Sequence, residues 1–154
     1  MIDYIQLFKD RHLFNQCTNE IELNTLLNKK KIIFYIGFDA TADALHVGSL
    51  VQLRAIKTLI KHGHQAIVLL GGGTTKVGDP SGKDTARQIL SYDNIQKNID
   101  NFKRIFEHYF RDFKENITFI NNDQWLDKLN YIELLRDVGL SLIHISEPTR
   151  HTDI

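Results

Sequence analysis

Apolar and polar positions along the chain fall into two rhythms. Ile32-Ile33-Phe34-Tyr35-Ile36, Gln65 to Leu70 (QAIVLL) and Ile117 to Ile120 (ITFI) are short apolar runs with many β-branched residues, the pattern of buried strands. The unbroken run in the second predicts cover on both faces. Helical spacing fills the intervals. Leu50 to His62 is amphipathic, with Gly63 placed to end it. Ile95, Ile99, Phe102, Ile105, Phe106, Tyr109 and Phe110 recur at helical spacing and predict one helix, capped near Ser91–Asn94 and reaching about Phe113. That aromatic stripe reads as core rather than as a base-stacking platform. Ahead of the first strand, residues 2–15 and a segment starting at Asn19-Glu20 carry Ile5, Leu7, Phe8, Leu13-Phe14 and then Ile21, Leu23, Leu26, Leu27 at helical spacing. After the third strand, Asn121–Trp125 begins a short helix or turn, and Asn130 is placed to cap Tyr131–Val138 before Gly139. The order is helices, β, α, β, α, β, α. It predicts an α/β fold: the first right-handed βαβαβ half of a doubly wound, Rossmann-like parallel sheet, preceded by N-terminal helices.

Two junctions carry the chemistry. The first strand ends at Gly37, a polar loop with Asp39, Thr41 and Asp43 follows, and His46-Val47-Gly48-Ser49 opens the next helix. Ligands of open α/β sheets bind outside the carboxyl ends of strands, and a helix start offers unpaired N–H groups to a phosphate. The second strand runs directly into Gly71-Gly72-Gly73 and then Thr74 to Lys83, read as a glycine-rich loop whose backbone lets a ligand approach closely. Neither common phosphate motif fits. Gly78 and Gly82 are one residue too close for a Walker A loop, and Lys76 stands where the dinucleotide fingerprint needs its third glycine. Taken alone, Asp79-Pro80 reads equally as a turn, and Lys83 and Arg87 as solvated charge.

Composition excludes more than it assigns. The 154 residues are 42% hydrophobic and 25% charged, with 19 basic and 19 acidic side chains, an ordinary globular profile without the basic excess of a nucleic-acid binder. Cys17 is the single cysteine, read as a packed residue, so neither an internal disulfide nor a cysteine metal cluster is expected. Lys29-Lys30-Lys31 closes a helix, where cations complement the dipole. His62 and His64 flank a glycine with no third ligand nearby and read as structural, so no metal site is expected. The charged N-terminus lacks a signal-peptide core and no apolar run approaches a membrane span, which points to a cytoplasmic protein with no membrane partner.

GFDATADALHVGSL, directly after Tyr35-Ile36, resembles the first signature of class I aminoacyl-tRNA synthetases in the form typical of the bacterial tyrosyl enzymes. LGGGTTKVGDPSGKDTAR at 70–87 is similar to a second block of the same family. The resemblance implies ATP-dependent activation of tyrosine to tyrosyl-adenylate and transfer to tRNA(Tyr), with Mg²⁺ accompanying ATP and a homodimer at full length. It implies that Tyr35, Thr74, Asp79 and Asn122 bind tyrosine, and that Asp39, His46, Gly48 and Ser49 bind ATP, Asp39 standing near ATP or the substrate ammonium. Thr41, His46, Lys83 and Arg87 would act on the leaving phosphates, the last two from a loop closing over pyrophosphate. Ser49 departs from the family pattern, which has histidine or asparagine there. The expected domain layout is a truncated catalytic domain over residues 1–139. From about residue 140, SLIHISEPTRHTDI resembles translated adaptor or vector sequence, a non-native, disordered tail. The chain also lacks the family's KMSKS loop, so little aminoacylation is expected of it. The alternatives are an inert nucleotide-binding remnant and another nucleotidyltransferase of the HxGH type.

Overall fold

The computed structural model describes residues 1–77, 90–134 and 136. Three parallel strands, β1 (Ile33–Asp39), β2 (Gln65–Gly71) and β3 (Ile117–Asn121), lie in the order β1-β2-β3. Helix α3 (Ser49–Ile60) crosses from β1 to β2. After β2 come α4 (Gly72–Val77) and then α5 (Tyr92–Tyr109), a 3₁₀ turn over Arg111–Asn116, and β3. Two helices precede the sheet, α1 (Tyr4–Asp10) and α2 (Glu20–Lys29), and two short ones follow it, α6 (Asp123–Leu126) and α7 (Tyr131–Leu134). The expected βαβαβ half-sheet with N-terminal helices is therefore present.

Caps fall where side chains accept freed N–H groups. Asp3, Asn19 and Ser91 accept from the amides of Gln6, Glu22 and Asn94 at 3.0, 3.0 and 3.3 Å. Gly63 takes φ +83° at the end of α3. His12 adopts the left-handed region without being glycine, with φ 55°. It closes α1 earlier than the apolar spacing implies, as the Leu13 amide turns back onto the Phe8 carbonyl at 2.9 Å.

The core lies on one side of the sheet. Phe38, Ala66, Val68 and Leu70 pack against Leu53, Ile56 and Ile60 of α3 and Ile95, Ile99, Phe102 and Phe106 of α5. Phe106 sits 4.9 Å from the Phe38 ring and 6.0 Å from that of Phe119, with no exposed surface. Each such side chain contributes about 1.5–3 kcal/mol on burial. The stripe on α5 is core, although Ile105 lies at its exposed margin and the helix stops at Tyr109 rather than near Phe113.

Cover on both faces of β2 is not what the described residues show. Tyr35 is 71% exposed and its register partner Ile67 only half-buried, as is Leu69. The reason is topological. Two crossovers of the same hand, stepping the same way along the sheet, place both helices on one face.

A second difference concerns Gly71-Gly72-Gly73, which do not form a loop. Gly71 ends β2, and the next two residues begin α4. Its first amides are capped from 49 residues away, Gly72 N–H donating to Asn121 Oδ1 at 3.0 Å and Gly73 N–H to Asn122 Oδ1 at 2.7 Å. A side chain at Gly72 would collide with Asn121, and one at Gly73 would meet Leu126 at 2.9 Å. What comes close to the glycines is the protein's own asparagine pair.

Two stability measurements follow. Asn122→Ala leaves the buried Gly73 amide without an acceptor and is expected to cost about 1–3 kcal/mol, roughly 3–9 °C in Tm. An unchanged melting curve would show that α4 does not depend on this cap. His12→Gly removes the left-handed penalty and is expected to raise stability by up to about 1 kcal/mol in denaturant titration.

Candidate functional site

The carboxyl ends of all three strands converge on a chain of hydrogen bonds. Strand β1 continues two residues past Gly37, so Asp39 stands on the strand, in register with Gly71, rather than in the loop. Thr74, in the first turns of α4, donates its hydroxyl to Asp39 Oδ1 at 2.7 Å. Asn122, just beyond β3, donates Nδ2–H to Thr74 Oγ1 at 3.1 Å while its Oδ1 receives the Gly73 amide. Only 6% of Asn122 is exposed. Three expected site residues, Asp39, Thr74 and Asn122, are thus joined directly. Gly71 must be glycine here, because a Cβ would collide with the Asp39 carboxylate and lie 2.6 Å from Thr74 Oγ1.

Tyr35 lies on the same sheet face as Asp39, four residues upstream, about 13 Å along the strand by the usual rise. Its ring is exposed and its hydroxyl makes no hydrogen bond to a described residue. Tyr35, the half-buried Ile67 and Leu69, and the Asp39–Thr74–Asn122 chain form one surface, apolar at the middle and polar at its upper end.

Beside this surface, a cavity of about 220 Å³ opens between the end of β1 and the start of α3. Gly37, Asp39, Thr41, His46, Ser49 and Gln52 contribute to its walls. The α3 start is reached through a tight turn in which Ser49 N–H donates to the His46 carbonyl at 2.9 Å. A Cβ at Gly48 would touch the His46 ring at 2.9 Å, so glycine there is what lets the imidazole fold over the helix start. Ser49 is buried at the cavity floor.

The loop carrying Thr41 and His46 is hung from both backbone groups of one residue, Ala40. Ala40 N–H donates to Thr75 Oγ1 at 3.0 Å, and the Ala40 carbonyl accepts from Asn98 Nδ2 at 2.8 Å. Further along, Asn101 Nδ2 donates to the Asp43 carbonyl at 3.2 Å. Thr75, Asn98, Asn121 and Gln52 are the residues that reading the sequence missed. Asn98 left a trace, a polar residue on the buried stripe between Ile95 and Ile99 and Phe102. The others left none.

On the far side of α4, Lys76 Nζ pairs with the Asp127 carboxylate at 2.6 Å and lies 4.8 Å from the centre of the Tyr92 ring. The hydrogen bond to Asp127 is the main cause that raises its pKa. Asp79, Lys83 and Arg87 lie outside the described residues, as do Gly78, Gly82, the end of the predicted last helix at Val138–Gly139, and the segment from residue 140. Among the described residues no three His, Cys, Asp or Glu side chains converge as a metal site, and no helix is long and apolar enough to cross a membrane.

Comparison with known proteins gives this geometry a context. Residues 27–147 match the family model for class I tRNA synthetases of the tryptophan and tyrosine type. The tyrosine–tRNA ligase of Pelagibacter ubique (strain HTCC1062) is 55% identical over 141 residues, covering 90% of this chain and 34% of that protein. That of Ehrlichia ruminantium (strain Gardel) is 47% identical over 138 residues, covering 88% of this chain and 33% of its own length. Among solved structures, a C-terminally truncated mitochondrial tyrosyl-tRNA synthetase from Aspergillus nidulans superposes with a TM-score of 0.73 at 25% identity, covering 91% of this chain and 43% of that one. The chain therefore spans about one third of the length of the curated relatives it matches. With the family model matching most of its residues, and with strand ends, helix start and glycine positions arranged as described, the chain belongs to the class I tRNA synthetases of the tryptophan and tyrosine type.

Proposed function

We propose that this chain is the N-terminal part of a tyrosine–tRNA ligase catalytic domain and supplies one wall of its tyrosine and ATP sites. The observation that carries the reading is the shared face of Tyr35 and the Asp39–Thr74–Asn122 chain beside the His46 cavity. An amino acid with a phenolic side chain has hydrogen-bonding groups at both ends, and this face has them at both ends too.

The chemistry asks for positioning rather than an activated nucleophile. The tyrosine carboxylate attacks the α-phosphorus of ATP, the bond from that phosphorus to the bridging oxygen of the β-phosphate breaks, and pyrophosphate leaves; Mg²⁺ brought with ATP would offset charge on the phosphates. The tyrosyl group then passes to a hydroxyl of tRNA(Tyr), releasing AMP. Tyr35 would hydrogen-bond the substrate phenol, and Asp39, Thr74 and Asn122 would line the amino-acid end. Thr41 and His46 would meet charge on the departing phosphates, while Gly48 and Ser49 would lie against adenosine. Asp79 as partner of the ammonium group, and Lys83 and Arg87 over pyrophosphate, complete the proposal from outside the described residues. The intact protein would act as a cytoplasmic homodimer.

A second reading has its own support. Tyr35, the residue meant to recognise the phenol, is 71% exposed on an open sheet face. A pocket with one wall of this kind excludes water poorly, so the 154-residue chain is itself expected to charge little or no tRNA. Aminoacylation by the purified chain at the rate of an intact ligase would overturn that expectation. The remnant reading and the ligase reading separate in calorimetric titration with ATP and tyrosine, since an inert remnant gives no tyrosine-dependent heat.

Two substitutions in an intact ligase carrying this segment test the roles. Tyr35→Phe should lower discrimination of tyrosine against phenylalanine by about tenfold, the worth of one neutral hydrogen bond, read as the ratio of kcat/KM values in pyrophosphate exchange. His46→Ala should lower kcat by about 10²–10³ with little change in tyrosine affinity. A loss confined to KM would place His46 in ground-state binding instead.

A further inference from the structure

His64 is where three separate parts of the chain meet at the amino edge of the sheet. It precedes β2, has no exposed surface, and uses both ring nitrogens. Nδ1 accepts the backbone N–H of Ile32, which leads into β1, at 3.3 Å. Nε2 lies 3.3 Å from the hydroxyl of Tyr4 in α1. A backbone N–H can only donate, so Nδ1 must hold its lone pair and the ring proton belongs on Nε2, directed at Tyr4.

Through Tyr4 this contact reaches α1 and α2, which are tied to each other as a unit. Tyr4 is 3% exposed and its ring stands edge-on to both His62 and His64, with centroids 5.4 and 5.6 Å away. The Tyr4 amide donates to Asn24 of α2 at 2.9 Å. Asn28 clasps Ile2 from both sides, accepting from its amide at 2.9 Å and donating to its carbonyl at 2.7 Å. Arg11 adds a bond to Thr58 of α3 at 3.1 Å. The groups facing the imidazole are Tyr4 from α1, Lys31 from the approach to β1, and His62 from the end of α3; Lys31 also donates to the His62 carbonyl, and Asn116 donates to the His64 carbonyl at 3.3 Å. Among the described residues no carboxylate hydrogen-bonds the ring.

We propose that His64 is a proton-sensitive latch: the neutral ring, buried beneath Tyr4, ties the α1–α2 unit to the sheet, and protonation at Nδ1 sets a donor against the Ile32 amide and leaves a charged ring that gains water only where that unit lifts away. Burial, and after it the charges of Lys31 and His62, hold the His64 pKa below the ordinary histidine value. The released state therefore binds the proton more readily than the docked one. Docking is at full strength above the ordinary histidine pKa of about 6.5 and weakens as pH falls below it toward the lowered value.

Hydrogen exchange on the intact chain tests this at pH 7.5 and 5.0, with intrinsic rates corrected. Protection of the α1 amides relative to those of α5 is expected to fall at the lower pH, and His64→Asn, which keeps an acceptor for Ile32 but does not titrate, should abolish the dependence. An α1-to-α5 ratio that ignores pH, or one that changes equally in His64→Asn, overturns the latch. If that variant does not fold, ¹⁵N spectra of the wild-type imidazoles decide. The proposal requires the Nε2–H tautomer at pH 7.5 and protonation coincident with loss of α1 protection. The Nδ1–H tautomer, or a protonated His64 under a still-protected α1, rejects it.

Discussion

Asn122 is the residue on which the site's architecture depends, because one carboxamide meets two demands that no other described group meets. Its oxygen takes the Gly73 amide at the buried start of α4, and its nitrogen steadies the Thr74 hydroxyl that in turn reaches Asp39. Its own backbone amide donates to the Leu70 carbonyl at 3.0 Å, which fixes where the chain leaves β3. The ends of β1, β2 and β3 are therefore bound to each other by side chains as well as by the ladder. A single buried hydrogen bond contributes only about 0.5–1.5 kcal/mol net, but an abandoned buried donor costs about 1–3. That asymmetry makes a shared acceptor of this kind hard to replace.

The sheet's one-sided cover has the opposite consequence for the two faces. Under α3 and α5, the Phe38, Phe102 and Phe106 rings form a dry core that keeps β1 and β2 in register. On the other face, Tyr35, Ile67 and Leu69 keep accessible surface. The same strand thus spends alternate residues on stability and on presentation, Phe34, Ile36 and Phe38 inward and Tyr35, Gly37 and Asp39 outward. Register makes this division strict, since a slip of one residue would bury Asp39 and expose Phe38.

Much of this was legible from apolar spacing. The three strands, the crossover α3 and the buried stripe of α5 are each specified by residues within the element, so local pattern suffices. The meeting of Asp39, Thr74 and Asn122 was reachable only through family resemblance, since nothing near Thr74 announces a partner 48 residues later. The helix beginning at Gly72 was not legible at all. Two glycines are poor helix formers, and what rescues them is a pair of asparagines from the end of β3. The extent of α5 failed for a related reason: Phe113 keeps the apolar spacing, but its backbone leaves the helix at φ −134° as the chain turns into β3.

How finely the proposed chemistry could be tuned depends on a residue remote from it in the chain. In a reaction driven by orientation, a misplacement of about 1 Å can cost about 10²-fold in rate. Thr41 and His46 stand on a loop whose first residue, Ala40, is held at its N–H by Thr75 and at its carbonyl by Asn98, both buried. Asn98 belongs to α5, whose neighbouring turns are clamped by Ile95, Ile99 and Phe102 in the core. Packing of the hydrophobic stripe therefore sets the height of Asn98, Asn98 sets Ala40, and Ala40 sets where the loop toward His46 begins. A core substitution on α5 that shifts the helix without unfolding it should reach the His46 cavity through this one amide, with no contact between the altered side chain and any ligand.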